Sequence, residues 1–211
     1  MEKIESIIFD LDGTLWSTID CSYNTLKEVQ ERHPDITREI SKEDVIKSMG
    51  LPFDVIVKNY YGYLDYEKAI LYASEAFNRN VHNLSKFGGA LYPGLKDTIK
   101  DLSEEYKLCI VSNCVEGYIE SFLRTSNLES YFLDHECNGK TKLSKGDNIK
   151  LIMMRNGITK AIYVGDTMGD KEAAKDANIP FVYAAYGFGD VDNYDYRIDS
   201  ITDLGKCLKK Q

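Results

Sequence analysis

Two aspartates, Asp10 and Asp12, stand where an apolar run stops, in the stretch IESIIFDLDGTLW at residues 4–16. Carboxylates this close repel unless a cation sits between them or one of them holds a proton, and both outcomes are chemically useful. Acidic residues also end strands and cap turns with no further role, so the pair alone does not decide the matter. Other polar groups stand in similar positions further along. Ser112 and Asn113 close KLCIVSN, Lys145 lies in GKTKLSKGD, and Asp166 and Asp170 follow AIYVG.

These groups need elements that bring them together. Ile4, Ile7, Ile8 and Phe9 form a nearly continuous apolar run, the pattern of a strand buried on both faces of a parallel sheet. In extended geometry Asp10 and Asp12 leave on the same side, and Gly13 permits a sharp turn after them. Leu108–Val111 and Ala161–Val164 read as further buried strands, with others expected near Phe132–Glu136 and in PFVYAA. Helical segments are expected between them, at 95–102, 116–125, 146–155 and 170–177, with Lys145 immediately before the third. Such alternation implies right-handed βαβ crossovers and a parallel sheet. Parallel strands present their carboxyl ends on one rim, so Asp10, Asp12, Ser112 and Asp166 should converge there.

Residues 17–87 follow a different period. Tyr23, Leu26 and Val29 recur at helical steps, and Pro34 ends that segment. Ser41 with Asp44 should start a second short helix, Val55–Tyr61 a third, and Asp65 a long one to about Leu84 with Ala69, Tyr72, Ala73 and Phe77 on one face. The expected organisation is a main domain of residues 1–16 and 88–211 with a helical insertion at 17–87. Tyr60, Tyr61, Tyr63, Tyr66 and Tyr72 are expected to pack those helices.

Composition narrows the function classes. The 211 residues are 43% hydrophobic and 28% charged, which predicts a packed globular core. A net charge of −8 argues against a nucleic-acid or anionic-membrane surface. No stretch reaches the roughly 18 apolar residues of a membrane span, and MEKIESIIF lacks a signal-peptide layout, so a cytoplasmic protein is expected. Cys21, Cys109, Cys114, Cys137 and Cys207 have no C-x-x-C spacing, which points to neither a disulfide framework nor a zinc site. His33, His82 and His135 are scattered, and no catalytic histidine is expected.

FDLDGT, then VSN, then a lone lysine, then VGDTMGD resemble, in this order, the four motifs of the haloacid dehalogenase superfamily of phosphotransferases. The helical block after the first motif resembles that superfamily's small α-helical cap. The resemblance implies an α/β fold, a doubly wound parallel sheet with an inserted cap. It makes Asp10 the nucleophile that forms an aspartyl-phosphate, and Asp12 the acid that protonates the leaving group and then activates water. Mg2+ would be held by Asp10, the Asp12 carbonyl and Asp166, with Asp170 a ligand through water or an orienting group. Ser112, with Asn113 beside it, would hold the transferring phosphoryl group, and Lys145 would neutralise its charge. Lys140 and Lys142 compete for that last role, because this stretch departs from the lysine-proline form of many relatives. In SMGLPFD, Gly50 and Pro52 would shape a cap turn whose Leu51 reaches the substrate. Trp16 would close over the leaving group or pack at the hinge.

The function implied is a Mg2+-dependent phosphatase for a small phosphorylated metabolite, phosphoglycolate-like or a sugar phosphate, working as a monomer or weak homodimer. A phosphomutase, a pyrophosphatase or a nucleotidase remains open. Dehalogenase and phosphonatase relatives lack the acid that Asp12 supplies. A noncatalytic phosphoacceptor of the response-regulator kind would carry no helical block after its first strand.

Overall fold

The structure, a computed structural model, describes residues 4–49, 51 and 53–209. The chain divides into two compact units, Met1–Ser17 with Ala90–Gln211, and Thr18–Gly89. It begins with β1 (Ser6–Phe9) and β2 (Trp16–Ser17). All four residues of β1 are fully buried, as a strand with neighbours on both edges and helices on both faces requires.

The second unit is helical: α1 (Ile19–Arg32), α2 (Lys42–Ser48), α3 (Phe53–Tyr61) and α4 (Tyr66–Phe87). Ser41 and Asp44 form a full capping box on α2, the shorter aspartate serving where glutamate is usual. Asp65 caps α4 by accepting from Lys68 N–H. Val29, Ile40, Val57, Tyr61, Ala69 and Tyr72 fill the centre of the unit. Phe77 departs from the expected face: it is 42% exposed, and Ala76 takes the buried position in the 69, 72, 73, 76 series. The ring of Phe77 lies instead at the edge, against Phe53, with centroids 6.1 Å apart. Tyr60, Tyr61 and Tyr72 are buried, whereas Tyr63 and Tyr66 are exposed.

The chain returns through β3 (Ala90–Leu91), which pairs antiparallel with β2 in a short ribbon. Then follow α5 (Leu95–Ser103), β4 (Lys107–Ser112), α6 (Tyr118–Ser126), β5 (Asp134–Cys137), α7 (Asn138–Thr141), α8 (Lys145–Arg155), β6 (Ala161–Gly165), α9 (Met168–Asp176), β7 (Phe181–Ala184), β8 (Tyr196–Ile198) and α10 (Leu204–Lys209). Six strands form one sheet, ordered β5-β4-β1-β6-β7-β8, and every pairing is parallel. This is the doubly wound α/β architecture expected from the alternation of strands and helices. Ile8 lies beside Cys109 and Tyr163 in register, and these three pack with Ile149, Ile152 and Ala173 from α8 and α9.

Three local expectations are corrected. Lys145 is the first residue of α8 rather than the residue before it, because Ser144 is the N-cap and accepts Asp147 N–H at 3.1 Å. Lys140 lies in the short helix α7 and not in a loop, and Lys142 ends that helix in the left-handed region at φ +63°. The strand expected near 132–136 starts at Asp134, because Glu129–Tyr131 form a 3-10 turn that ends at Phe132. Among the described residues no helix is long and apolar enough to cross a membrane.

Candidate active site

β1 lies between β4 and β6, with Phe9 opposite Ile110 on one side and Val164 on the other. The residues that follow these three strands therefore meet on one rim, where open α/β sheets bind ligands. Asp10 N–H continues the ladder by donating to the Val164 carbonyl at 2.8 Å. Asp10, Ser112, Asp166 and Asp170 are all buried there. Carboxylate oxygens of Asp10, Asp166 and Asp170 lie within 4.8 Å of one another. Lys145 reaches them from the first turn of α8: its Nζ donates to Asp10 Oδ1 at 2.8 Å and to Asp170 Oδ1 at 2.6 Å.

Each carboxylate is held by its own partners. Asp170 Oδ2 accepts the N–H groups of Asp166 and Thr167 at 3.1 and 2.9 Å and the Thr167 hydroxyl at 2.7 Å, while Thr167 Oγ1 caps α9. With Oδ1 on Lys145, Asp170 is bonded at both oxygens. Asp166 Oδ2 accepts Phe188 N–H at 2.7 Å, and Thr14 Oγ1 donates to its Oδ1 at 3.3 Å. Gly13 allows the close approach, since its φ is +87° and a Cβ there would lie 2.2 Å from Asp166 Oδ2. Gly187 does the same from the other side, where a Cβ would fall 2.3 Å from that of Asp166.

Burial raises the pKa of Asp10 to about 7; Lys145 pulls it down, and the charge of Asp170 adds to the rise. Burial and the repulsion of Asp170 and Asp10 likewise push Asp166 up to about 8. Burial works against the Lys145 ammonium, yet Asp10 and Asp170 hold its pKa well above the usual lysine value. Three carboxylates against one ammonium leave an excess of negative charge in a buried place. The donors are hard oxygens in a tight cluster, and a divalent cation among them would relieve both burial and repulsion. The residues therefore fit Mg2+ or a similar oxygen-seeking ion.

Asp12 turns elsewhere. Its Oδ1 accepts the Trp16 indole N–H at 2.9 Å and the Tyr118 hydroxyl at 3.1 Å, and its carboxyl is not in the three-carboxylate cluster. Asn113 follows Ser112 on the rim and is exposed. Lys140 pairs with Glu136 at 3.8 Å and Lys142 Nζ donates to the Gly139 carbonyl, so of the three candidate lysines only Lys145 meets the carboxylates. Leu51 belongs to the helical unit and is 38% exposed, while Gly50 and Pro52 lie outside the described residues. The thiols of Cys114, two residues past β4, and Cys137, the last residue of β5, act on each other, which moves the pKa of Cys137 down and, with burial, that of Cys114 up.

Sequence reasoning missed Trp16 and Tyr118 as partners of Asp12, and Phe188 as a partner of Asp166. The signal for Phe188 was the loop YGFGD after a rim strand, although the contact comes from its backbone, which any residue type would offer. Tyr118 carried no signal, being 106 residues from Asp12.

Residues 7–184 match the family described as haloacid dehalogenase-like hydrolase. Pyrophosphatase PpaX of Listeria monocytogenes serotype 4a (strain HCC23) is 28% identical over 216 residues, spanning 96% of this chain and 95% of that protein. Phosphoglycolate phosphatase of Aliivibrio fischeri (strain ATCC 700601 / ES114) is 27% identical over 222 residues, spanning 98% and 96%. In fold, the chain resembles a solved haloacid dehalogenase-like family hydrolase from Streptococcus pneumoniae, with a TM-score of 0.84 at 19% identity, covering 98% of this chain and 99% of that one. With the match running through both aspartate motifs and over most of its length, the chain belongs to the haloacid dehalogenase-like hydrolases.

Proposed function

We propose that this chain is a Mg2+-dependent phosphatase that hydrolyses a small phosphomonoester through a phosphorylated Asp10. The observation that carries the reading is the buried cluster of Asp10, Asp166 and Asp170 with the Lys145 ammonium between Asp10 and Asp170. Asp10, Asp166 and the Asp12 carbonyl would hold the ion, and the bonding of both Asp170 oxygens supports an orienting role for that residue. When bound, the ion screens the charge of the phosphate so that a carboxylate can approach phosphorus.

In the first half-reaction an Asp10 oxygen bonds to phosphorus and the bond from phosphorus to the leaving oxygen breaks. That oxygen takes the Asp12 proton. In the second, water gives a proton back to Asp12 as its oxygen bonds to phosphorus, and the Asp10 carboxylate leaves. Ser112 and Asn113 hydrogen-bond the transferring group, and Lys145 offsets the negative charge on its oxygens. The separate environment of Asp12 supports the division of labour, because a carboxyl that carries a proton must stay off the cation.

The two named relatives, a pyrophosphatase and a phosphoglycolate phosphatase, define the first substrates to compare. Purified protein should release phosphate from a generic aryl phosphate with Mg2+ and not with chelator, and Asp10→Asn should abolish release. Equal turnover by the variant would refute the proposal. A panel of pyrophosphate, phosphoglycolate and sugar phosphates then ranks substrates by kcat/KM, and conversion of a sugar phosphate to its isomer without phosphate release would indicate a mutase.

A further inference from the structure

The Asp12 carboxyl is gripped by two neutral donors from different elements. Trp16 Nε1–H lies 2.9 Å from Oδ1, and the Tyr118 hydroxyl lies 3.1 Å from the same oxygen. Neither donor can swing away freely. Trp16 and Phe122 are fully buried and Tyr118 is 8% exposed. The Trp16 ring meets Tyr118 and Phe122 edge-on, with centroids 5.6 and 5.1 Å away. The Trp16 backbone is tied down as well, since its carbonyl accepts Gly13 N–H at 2.9 Å and the residue pairs with Leu91 across the β2/β3 ribbon.

We propose that Trp16 and Tyr118 are positioning residues for Asp12, fixing the direction of its carboxyl for proton transfer to the leaving group and back from water. The inference rests on the acid and base role given to Asp12 above. The chemical type of the donors matters too. An indole and a phenol fix the direction of the carboxyl without adding charge of their own. An ordered acid within reach of the leaving oxygen preserves the gain from orientation.

Leaving-group chemistry separates positioning from packing. A nitrophenolate departs without help, whereas an alkoxide needs a proton, so the clamp should matter more for an alkyl phosphate than for an aryl phosphate. Tyr118→Phe removes only the hydroxyl. Its kcat/KM should fall on the alkyl substrate about tenfold further than on the aryl one, within the range that general acid catalysis supplies. Trp16→Phe should shift the same ratio in the same direction. Because Trp16 is the single tryptophan, its indole N–H gives one cross-peak in a proton–nitrogen NMR spectrum. Asp12→Ala should move that peak upfield and speed its exchange with solvent, a readout independent of turnover. Equal losses on both substrates in Tyr118→Phe, or an indole peak unmoved by Asp12→Ala, overturn the inference while Asp10→Asn still abolishes release. Phosphate release that survives Asp10→Asn overturns the reading beneath it and the inference together.

Discussion

Lys145→Met tests the electrostatics of the buried cluster. The Lys145 side chain is 12% exposed, with its ammonium 2.8 Å from Asp10 and 2.6 Å from Asp170. At an effective dielectric of about 20, opposite unit charges at such a separation attract by about 6 kcal/mol, most of which is offset by the desolvation of both partners. Methionine keeps the packing of the stem as far as Cε but, lacking the ammonium, leaves Asp10 and Asp170 facing each other without a cation. Removing one member of a buried pair costs about 3–5 kcal/mol, and protonation of Asp10 returns about 1.4 kcal/mol for each unit by which its pKa exceeds the working pH. In chelator at pH 8, urea unfolding should therefore show a loss of about 3 kcal/mol. The sign of the pH dependence follows from Asp10, whose folded pKa already lies above its ordinary value of 3.8 and rises further without Lys145. A raised carboxylate pKa means that stability is kept at acid pH and lost as pH rises through the folded value. The gap between variant and wild type should thus narrow at pH 5 and widen at pH 8, and Mg2+ should close part of it. A variant within about 0.5 kcal/mol of wild type in chelator at pH 8, a difference typical of innocuous surface changes, would refute the assigned charge balance. With Mg2+, turnover should fall by about 10²–10³, the usual cost of losing one group that stabilises transferring charge.

Gly13→Ala should destabilise the protein by at least about 1–2 kcal/mol, the cost of a left-handed backbone at a non-glycine residue. The new methyl group must also displace Asp166, so the rise in unfolding temperature on adding Mg2+ should shrink, which a thermal scan with and without Mg2+ measures. Arg155 donates to Asp134 at 2.6 Å and to the buried Glu136 at 2.7 Å, so Arg155→Met should cost about 2–3 kcal/mol at pH 7, discounted for its partial exposure. Burial raises the pKa of Asp134, but the hydrogen bonds from Arg155 and Asn156 outweigh it and the net shift is downward. The wild-type advantage should therefore hold above pH 4 and fade as pH drops further, as read by unfolding at pH 7 and pH 3. The Tyr61 hydroxyl is buried with no hydrogen-bond partner among the described residues, so Tyr61→Phe should leave stability equal or raise it by up to about 1 kcal/mol in urea unfolding.

What could be read from the sequence follows from how each signal is written. The β1 run, the alternating elements and the rim aspartates are carried by side-chain type and short spacing, and the structure brings Asp10, Asp166 and Asp170 to one place. Of the three lysines, Lys145 is the one whose spacing puts it beside an expected helix start, and it is the one that reaches Asp10. The β2/β3 ribbon is two residues per strand and β8 is three, lengths that show no periodicity. Trp16 stands four residues from Asp12 and carries a donor, but only the close backbone pairing of Asp12 with Trp16 turns that donor inward. Phe188 and Gly187 act through a backbone N–H and a missing side chain, neither of which residue chemistry announces. Phe77 was misplaced because helical periodicity marks the centre of an apolar stripe better than its edge.

Acid-quench trapping of the phosphoryl group tests the nucleophile most directly. Protein mixed with Mg2+ and an aryl phosphate, quenched in acid within a turnover and digested, should yield the peptide containing Asp10 with a mass gain of one phosphoryl group, absent in Asp10→Asn. A phosphoryl group found on another residue, or steady phosphate release with no adduct at any quench time, would contradict an aspartyl-phosphate at Asp10.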